Sequence, residues 1–193
     1  MTFSLTSPAP AAPELARRLL GARLLLRGTG GIITETEAYA LDDPASHSFK
    51  GPSARNRSMF GPAFHAYVYR IYGIHLCLNV VGRPGEAVLI RALAPEIGLE
   101  EMERRRRGMP LTSGPGRLAQ ALDLRPEDDG KPLTSGDFEL SPPANAPAEI
   151  LIGPRIGISR ATERPWRFGL PGPWLSHAFP PQEPPDAPHP VEI

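Results

Sequence analysis

The chain has 193 residues, zero formal net charge and 40% hydrophobic content, enough for one substantial core and too little for two. No apolar run approaches the ~20 residues of a membrane span, and the start "MTFSLTSPAPAAPELARRLLG" lacks a basic segment leading into an apolar one, so neither a membrane contact nor a secretory signal is expected. A single cysteine, Cys77, excludes an internal disulfide and fits a reducing compartment, which predicts a cytoplasmic protein.

Read in chain order, Pro13-Glu14 opens a short helix that closes on Arg17-Arg18 and stops at Gly21: acid early, base late, glycine after the end. "ARLLLRG", "TG" and "GIITETEAYA" predict two strands joined by a glycine-rich turn. Residues 41–63 form a long polar loop, and loops of that length are usually functional. "FHAYVYRIYGIHLCLNVV" predicts a second hairpin turning near Tyr72-Gly73, and "EAVLIRALA" a further strand. "PEIGLEEMERRRR" predicts a helix with Glu100/Arg104, Glu101/Arg105 and Glu103/Arg107 at i, i+4 spacing, so the arginine run reads mainly as a solvated helix end. "TSGPGRLAQAL" starts another helix with Ser113 as its cap and Pro115 in its first turn. Residues 123–148 read as an acidic, proline-rich loop, and "AEILIGPRIGIS" as one or two strands. A single folded domain over residues 1–178 and a disordered proline-rich tail over 179–193 are expected.

Charge is unevenly spread. Residues 1–120 hold 15 Lys+Arg against 10 Asp+Glu, a balance of +5; residues 121–193 hold 6 against 11, a balance of −5. Nineteen of the 21 basic residues are arginine, whose fork suits phosphate oxygens, although a genome rich in G and C would give the same bias.

Two stretches resist a purely structural reading. In "GIITETEAYA", strand alternation places Glu35, Glu37 and Tyr39 on one face with Ile33, and glutamate is depleted in strands. In the aromatic hairpin, Tyr67, Tyr69 and Ile71 share one face, while Phe64, Val68, Arg70 and Tyr72 take the other. Tyr67 reads as cross-strand packing. A tyrosine at the tip, Tyr72, has no core to fill but can wedge between base pairs.

"TETEAYALDDPASH", "ARNRSMFGPAFHAYVYRIYGIHLCLNV", "AVLIRALAPEIGLEEM" and "TSGPGRLAQAL", in this order, resemble the alkyladenine (3-methyladenine) DNA glycosylase family from about Leu15 to Trp174. The resemblance implies an α+β fold: one mixed domain with a curved antiparallel sheet, a few surrounding helices and a protruding β-hairpin. It implies a monofunctional enzyme of base-excision repair, bound as a monomer to double-stranded DNA, flipping alkylated or deaminated purines and hydrolysing the N-glycosidic bond. No cofactor, no metal and no membrane partner are expected.

The resemblance also assigns roles. Glu37 matches the glutamate that activates the attacking water, with Arg91 and the carbonyl of Ile156 as further contacts to that water. Tyr39 matches an aromatic on one face of the flipped base, Tyr69 and His47 the opposing wall, and Asn79 the asparagine beside the purine 2-position. Tyr72 matches the residue that fills the vacated stack. Arg55, Arg57 and Arg117 are the expected DNA-backbone contacts. His75 stands where the family has an aromatic after the hairpin tip. The chemistry suits these types: each stacked base face gains roughly 1–3 kcal/mol, and a carboxylate stabilises an oxocarbenium-like sugar and takes a proton from water. An arginine beside Glu37 is expected to keep it ionised. Glu35 is expected to be a supporting or surface group.

Other chemistries fit less well. "HLC" has the wrong spacing for a zinc site built from His47, His65, His75 and Cys77, and the His-x-Glu and Pro-Cys-x-x-Cys of a zinc deaminase are missing. Glu35 and Glu37 on one strand flank a sugar poorly. The alternative that survives is a catalytically silent nucleic-acid-binding module.

Overall fold

The computed structural model describes Leu5 and residues 8–182. Among these residues three short α-helices, α1 (Ala12–Arg18), α2 (Leu99–Arg106) and α3 (Pro115–Ala121), surround eight strands: β1 (Arg23–Leu26), β2 (Thr29–Tyr39), β3 (Ala66–Ile71), β4 (His75–Val81), β5 (Ala87–Ile97), β6 (Phe138–Ser141), β7 (Leu151–Gly153) and β8 (Arg167–Gly169). All pairings between these strands are antiparallel, in the order β3-β4-β5-β2-β1-β6, with β8 added to β2 and β7 to β8. The fold is the α+β arrangement that the resemblance implies, a curved antiparallel sheet with flanking helices.

Strand β2 organises the sheet. One edge pairs with β5 along nearly its whole length; the other pairs first with β1 and then, at Glu35–Glu37, with β8. The β1–β2 turn is Arg27-Gly28, with φ of 48° and 74°, and not Thr29-Gly30, which already belongs to β2. Two successive left-handed residues are what a tight two-residue hairpin needs to match the strand twist. On one side of the sheet α1 and α3 bury Leu15, Leu19 and Leu118 against Leu24, Ile33, Leu78, Val88 and Ile90. On the other side a small cluster of Met59, Tyr67, Val81 and Ala87 packs with Tyr39, Phe60 and Tyr69.

Several expectations shift. The helix expected from Pro95 starts at Leu99, because Pro95–Ile97 extend β5. Of the three expected ion pairs in α2, Glu101/Arg105 forms at 3.0 Å, and Glu101 also takes Arg104. Arg105 and Arg106 are not solvated ends: they reach Ala121 O at 2.8 Å and Gln120 Oε1 at 2.6 Å and tie α2 to α3. Ser113 does not cap α3. The cap position is Gly114, while Ser113 bridges to Ala92 and its buried Oγ has no partner among the described residues. Strand β6 lies inside the expected acidic loop, and β8 was not expected. Of the expected proline-rich tail, Phe179–Gln182 is ordered against β7 and β8; residues 183–193 lie outside the described residues.

Candidate active site

The strand that carries Glu37 is irregular where it matters. Ile33 pairs with Leu93, Glu35 with Ala92 and Thr36 with Ile90, so the register slips around Glu35. A bulge adds a residue to one strand and changes which side its neighbours face. Ile33 consequently lies in the main core with Ala38, not on the face of Glu37 and Tyr39. Glu35 is not a surface group: it is 0% exposed and accepts from Arg91 Nε at 2.9 Å, Arg167 Nη1 at 3.0 Å and Ser176 Oγ at 2.8 Å.

Glu37 is also 0% exposed. Its Oε1 accepts from the Ile156 N–H at 2.7 Å and lies 3.3 Å from Arg91 Nη1; its Oε2 accepts from the Tyr39 hydroxyl at 2.9 Å. Three donors aimed at two oxygens favour the ionised carboxylate. Burial acts the other way and is the larger influence, so the carboxyl sits above its ordinary range despite Arg91, Ile156 and Tyr39. The expected ionising effect of the arginine is therefore present but outweighed. Burial also works against the Arg91 cation, and there Glu37 and Glu35 prevail and hold it charged.

Tyr39, Arg91 and Ile156 also line a cavity of about 330 Å³, within the range of small-molecule sites. Glu37 thus lies behind the cavity wall, and its three donors form that part of the wall. His47, Tyr67, Tyr69, Tyr72, His75, Cys77 and Asn79 complete much of the lining. The His47 and Tyr69 rings meet edge-on with centroids 4.5 Å apart, and Tyr67 lies 5.5 Å from Tyr69. Tyr39 makes no ring contact with them among the described residues, so the aromatic lining comes from two separate places.

Tyr67, read from sequence as packing, belongs to this lining, and its hydroxyl lies 2.8 Å from His47 Nδ1. Its period-2 spacing from Tyr69 was the available signal. Burial lowers the His47 imidazole below its ordinary range and leaves it neutral at pH 7. Asn79 donates from Nδ2 to Tyr67 O at 2.9 Å and also lines the cavity. Burial pushes the Cys77 thiol up to about 11, so it is neither a nucleophile nor a ready metal ligand. Among the described residues, no three His, Cys, Asp or Glu side chains gather as metal ligands would.

Tyr72 sits at the tip of the β3–β4 hairpin, where Ile71 pairs with His75 across a three-residue loop. With φ of 51°, followed by Gly73 at 73°, Tyr72 turns to the cavity mouth and not to the side that simple alternation predicts. It is 78% exposed, and the neighbouring Ile74 is 68% exposed. The left-handed backbone of Tyr72 and Gly73 closes the turn and leaves the Tyr72 ring in solvent. The first turn of α3 braces the hairpin: a Cβ on Gly116 would fall 3.1 Å from the His75 ring.

Arg155 was missed. Its side chain is fully buried, forms an ion pair with the equally buried Asp43, donates to Ala38 O at 2.9 Å and lies 4.8 Å from the centre of the Tyr39 ring. It joins the strand end carrying Tyr39, the loop carrying His47 and the segment carrying Ile156. Its adjacency to Ile156 was the only cue in the sequence. Arg55, Arg57 and Arg117 are exposed. Arg55 lies with His47, Arg70, Tyr67 and Tyr69 around a second cavity of about 690 Å³.

The methylpurine-DNA glycosylase family matches residues 7–173. A Nitrosospira multiformis protein provisionally named 3-methyladenine DNA glycosylase is 55% identical over 174 residues, covering 86% of this chain and 89% of its own. Proteins of the same provisional name from Agrobacterium fabrum and Granulibacter bethesdensis are 52% and 56% identical, covering 89% and 80% of this chain and 91% and 77% of theirs. No helix among the described residues is long and apolar enough to cross a membrane. With most of its length matched, the chain belongs to the methylpurine-DNA glycosylase family, and it is a DNA N-glycosylase of base-excision repair.

Proposed function

We propose that this glycosylase, acting as a monomer through one domain over residues 1–178, flips alkylated or deaminated purines out of duplex DNA in the cytoplasm and hydrolyses their N-glycosidic bond with a water molecule alone. The observation that carries this reading is a fully buried carboxylate, Glu37, whose donors Tyr39, Arg91 and Ile156 form part of the wall of an aromatic cavity.

The flipped base enters that cavity and stacks on Tyr39, with Tyr69 and His47 opposite and Asn79 at its edge. The neutral His47 adds no second positive charge beside an alkylated, cationic base. Water, oriented by Glu37, Arg91 and the Ile156 carbonyl, attacks the sugar carbon as the bond to the base breaks. The base leaves with the bonding electrons, the water proton passes to Glu37, and an intact abasic strand remains. Tyr72 fills the space left in the stack, and Arg55, Arg57 and Arg117 hold the backbone. The test is base release from a panel of single-lesion duplexes carrying hypoxanthine or a methylated purine; tight binding without release indicates a silent binding module.

Two further results are expected. Tyr72→Ala weakens binding to lesion duplexes about tenfold, from the loss of one stacking contact of ~1–3 kcal/mol, and changes binding to the single-stranded lesion oligomer much less, since no stack needs filling there. Equal losses on the two substrates, measured by fluorescence anisotropy, contradict the wedge role. Borohydride added during turnover traps no adduct, because the amines available are Lys50, Lys131 and the N-terminus, and Lys131 is engaged by Asp128 and Asp137 at 2.9 and 3.0 Å. A trapped protein–DNA adduct that disappears in Lys50→Ala overturns hydrolysis by water.

A further inference from the structure

The matched family region ends at residue 173, yet the chain continues directly into contacts with the layer behind Glu37. Ser176 donates its backbone N–H to Glu35 Oε2 at 2.5 Å and its hydroxyl to Glu35 Oε1 at 2.8 Å. The same Oγ accepts from Arg91 Nε at 3.3 Å and Nη2 at 3.1 Å. A serine hydroxyl has one proton to donate and two lone pairs to accept with. Here four neighbours share them: Glu35 Oε1, Arg91 Nε and Nη2, and His177 Nδ1 at 3.2 Å. The Arg91 guanidinium is consequently held on every nitrogen: Nε by Glu35 and Ser176, Nη2 by Ser176, and Nη1 facing Glu37 at 3.3 Å.

The body of the protein is shaped to receive this segment. Arg167 donates to His177 O at 3.2 Å and Ala178 O at 2.9 Å, and its guanidinium lies 3.8 Å from the centre of the Phe179 ring. A Cβ on Gly169 of β8 would fall 2.7 Å from that ring, so the ring occupies the space a side chain would take. Gln182 then pairs with both backbone groups of Ile152, at 2.8 Å and 3.2 Å. Arg167 also contacts Glu35, so the docking of the segment and the neutralisation of Glu35 share one cation.

We propose that the segment following residue 173 is a working part of the active site, with Ser176 a positioning residue that, together with Glu35, fixes Arg91 toward Glu37. This rests on the reading of Glu37 and Arg91 as the pair that acts on the water. Removing the Ser176 hydroxyl takes one donor from Glu35 and two acceptor contacts from Arg91 while removing no atom of the aromatic cavity lining. The cation then gains freedom to turn away from Glu37. The effect falls on the chemical step and spares the affinity for the lesion.

The test uses the full chain and single-turnover base release from a hypoxanthine duplex, with lesion-duplex Kd and Tm measured alongside. Ser176→Ala is expected to lower the single-turnover rate about tenfold, the order of one lost buried hydrogen bond to a charged group, with Kd within about twofold of the parent by the same reasoning. Ser176→Thr, which keeps the hydroxyl, is expected to recover most of the rate. A Ser176→Ala rate equal to the parent's, a loss that appears in Kd and not in rate, or a Ser176→Thr rate as low as that of Ser176→Ala at unchanged Tm each overturns the role of Ser176. Glu37→Gln is run beside them. If it loses base release while Ser176→Ala does not, this inference alone fails; if Glu37→Gln keeps the parental rate, the underlying reading of the site fails and this inference with it.

Discussion

Glu37→Gln lowers single-turnover base release by roughly 10²–10⁴-fold, the range over which a positioned acid or base contributes, and leaves lesion binding nearly unchanged. The substitution keeps shape and most contacts. The amide oxygen can still accept from the Ile156 N–H and face Arg91, while the amide NH₂ can donate to the Tyr39 hydroxyl, which reverses its role from donor to acceptor. What disappears is the capacity to take a proton and the negative charge that steadies a developing oxocarbenium ion. Neither matters to ground-state binding, so rate and affinity separate. The pH–rate profile carries a second sign. A base works only when ionised, and burial raises the Glu37 carboxyl. The rate therefore falls, as pH falls, through a value above the ordinary glutamic range of about 4.3. Near-parental rates in Glu37→Gln, or an acid limb at or below that range, contradict the assignment.

The largest loss of stability is expected at Arg155. Asp43→Ala leaves a fully buried guanidinium without its carboxylate, and breaking such a pair costs about 3–5 kcal/mol. For a chain of this size that corresponds to a fall in Tm of roughly 6–20 °C. Ala38 O at 2.9 Å and Ala161 O at 3.3 Å remain as acceptors, but neither carries charge. The double variant Arg155→Met/Asp43→Leu, which removes both charges and refills the volume, recovers much of that stability, since the desolvation cost goes with the charges. Base release does not return with it, because the cation over the Tyr39 ring and the link from strand β2 to the loop of His47 are both gone. Differential scanning calorimetry and single-turnover kinetics on the single and double variants separate these effects. A double variant as unstable as Asp43→Ala, or one with parental activity, contradicts this account of Arg155.

How much of this was legible in the residues depends on the range of the interaction. The strands around Glu37 and Tyr69, the hairpin tip at Tyr72 and the helix from Pro115 carry local signals: alternation, a glycine in the turn, a proline in the first helical turn. The candidate site residues Tyr39, His47, Tyr69, Asn79, Arg91 and Ile156 come from four separate stretches, and order and motif named them before any geometry did. Helix starts were less legible, because Pro95–Ile97 follow a strand pairing with Gly30 and Gly31 that no local pattern reports.

The sequence by itself determined the family, the segments that form β1 to β5, and the carboxylate, aromatic and arginine chemistry, because each is encoded by residue type and near-neighbour spacing. The tertiary structure alone decided which side each glutamate serves. The bulge at Glu35 takes Ile33 into the core, and the balance of burial against Arg91 sets the Glu37 carboxyl. It alone disclosed Arg155 with Asp43, 112 positions apart, and Ser176 with Glu35, 141 apart. Contacts of that separation follow from how strands pair and where a segment docks, and a buried charge takes its meaning from partners that only folding brings near.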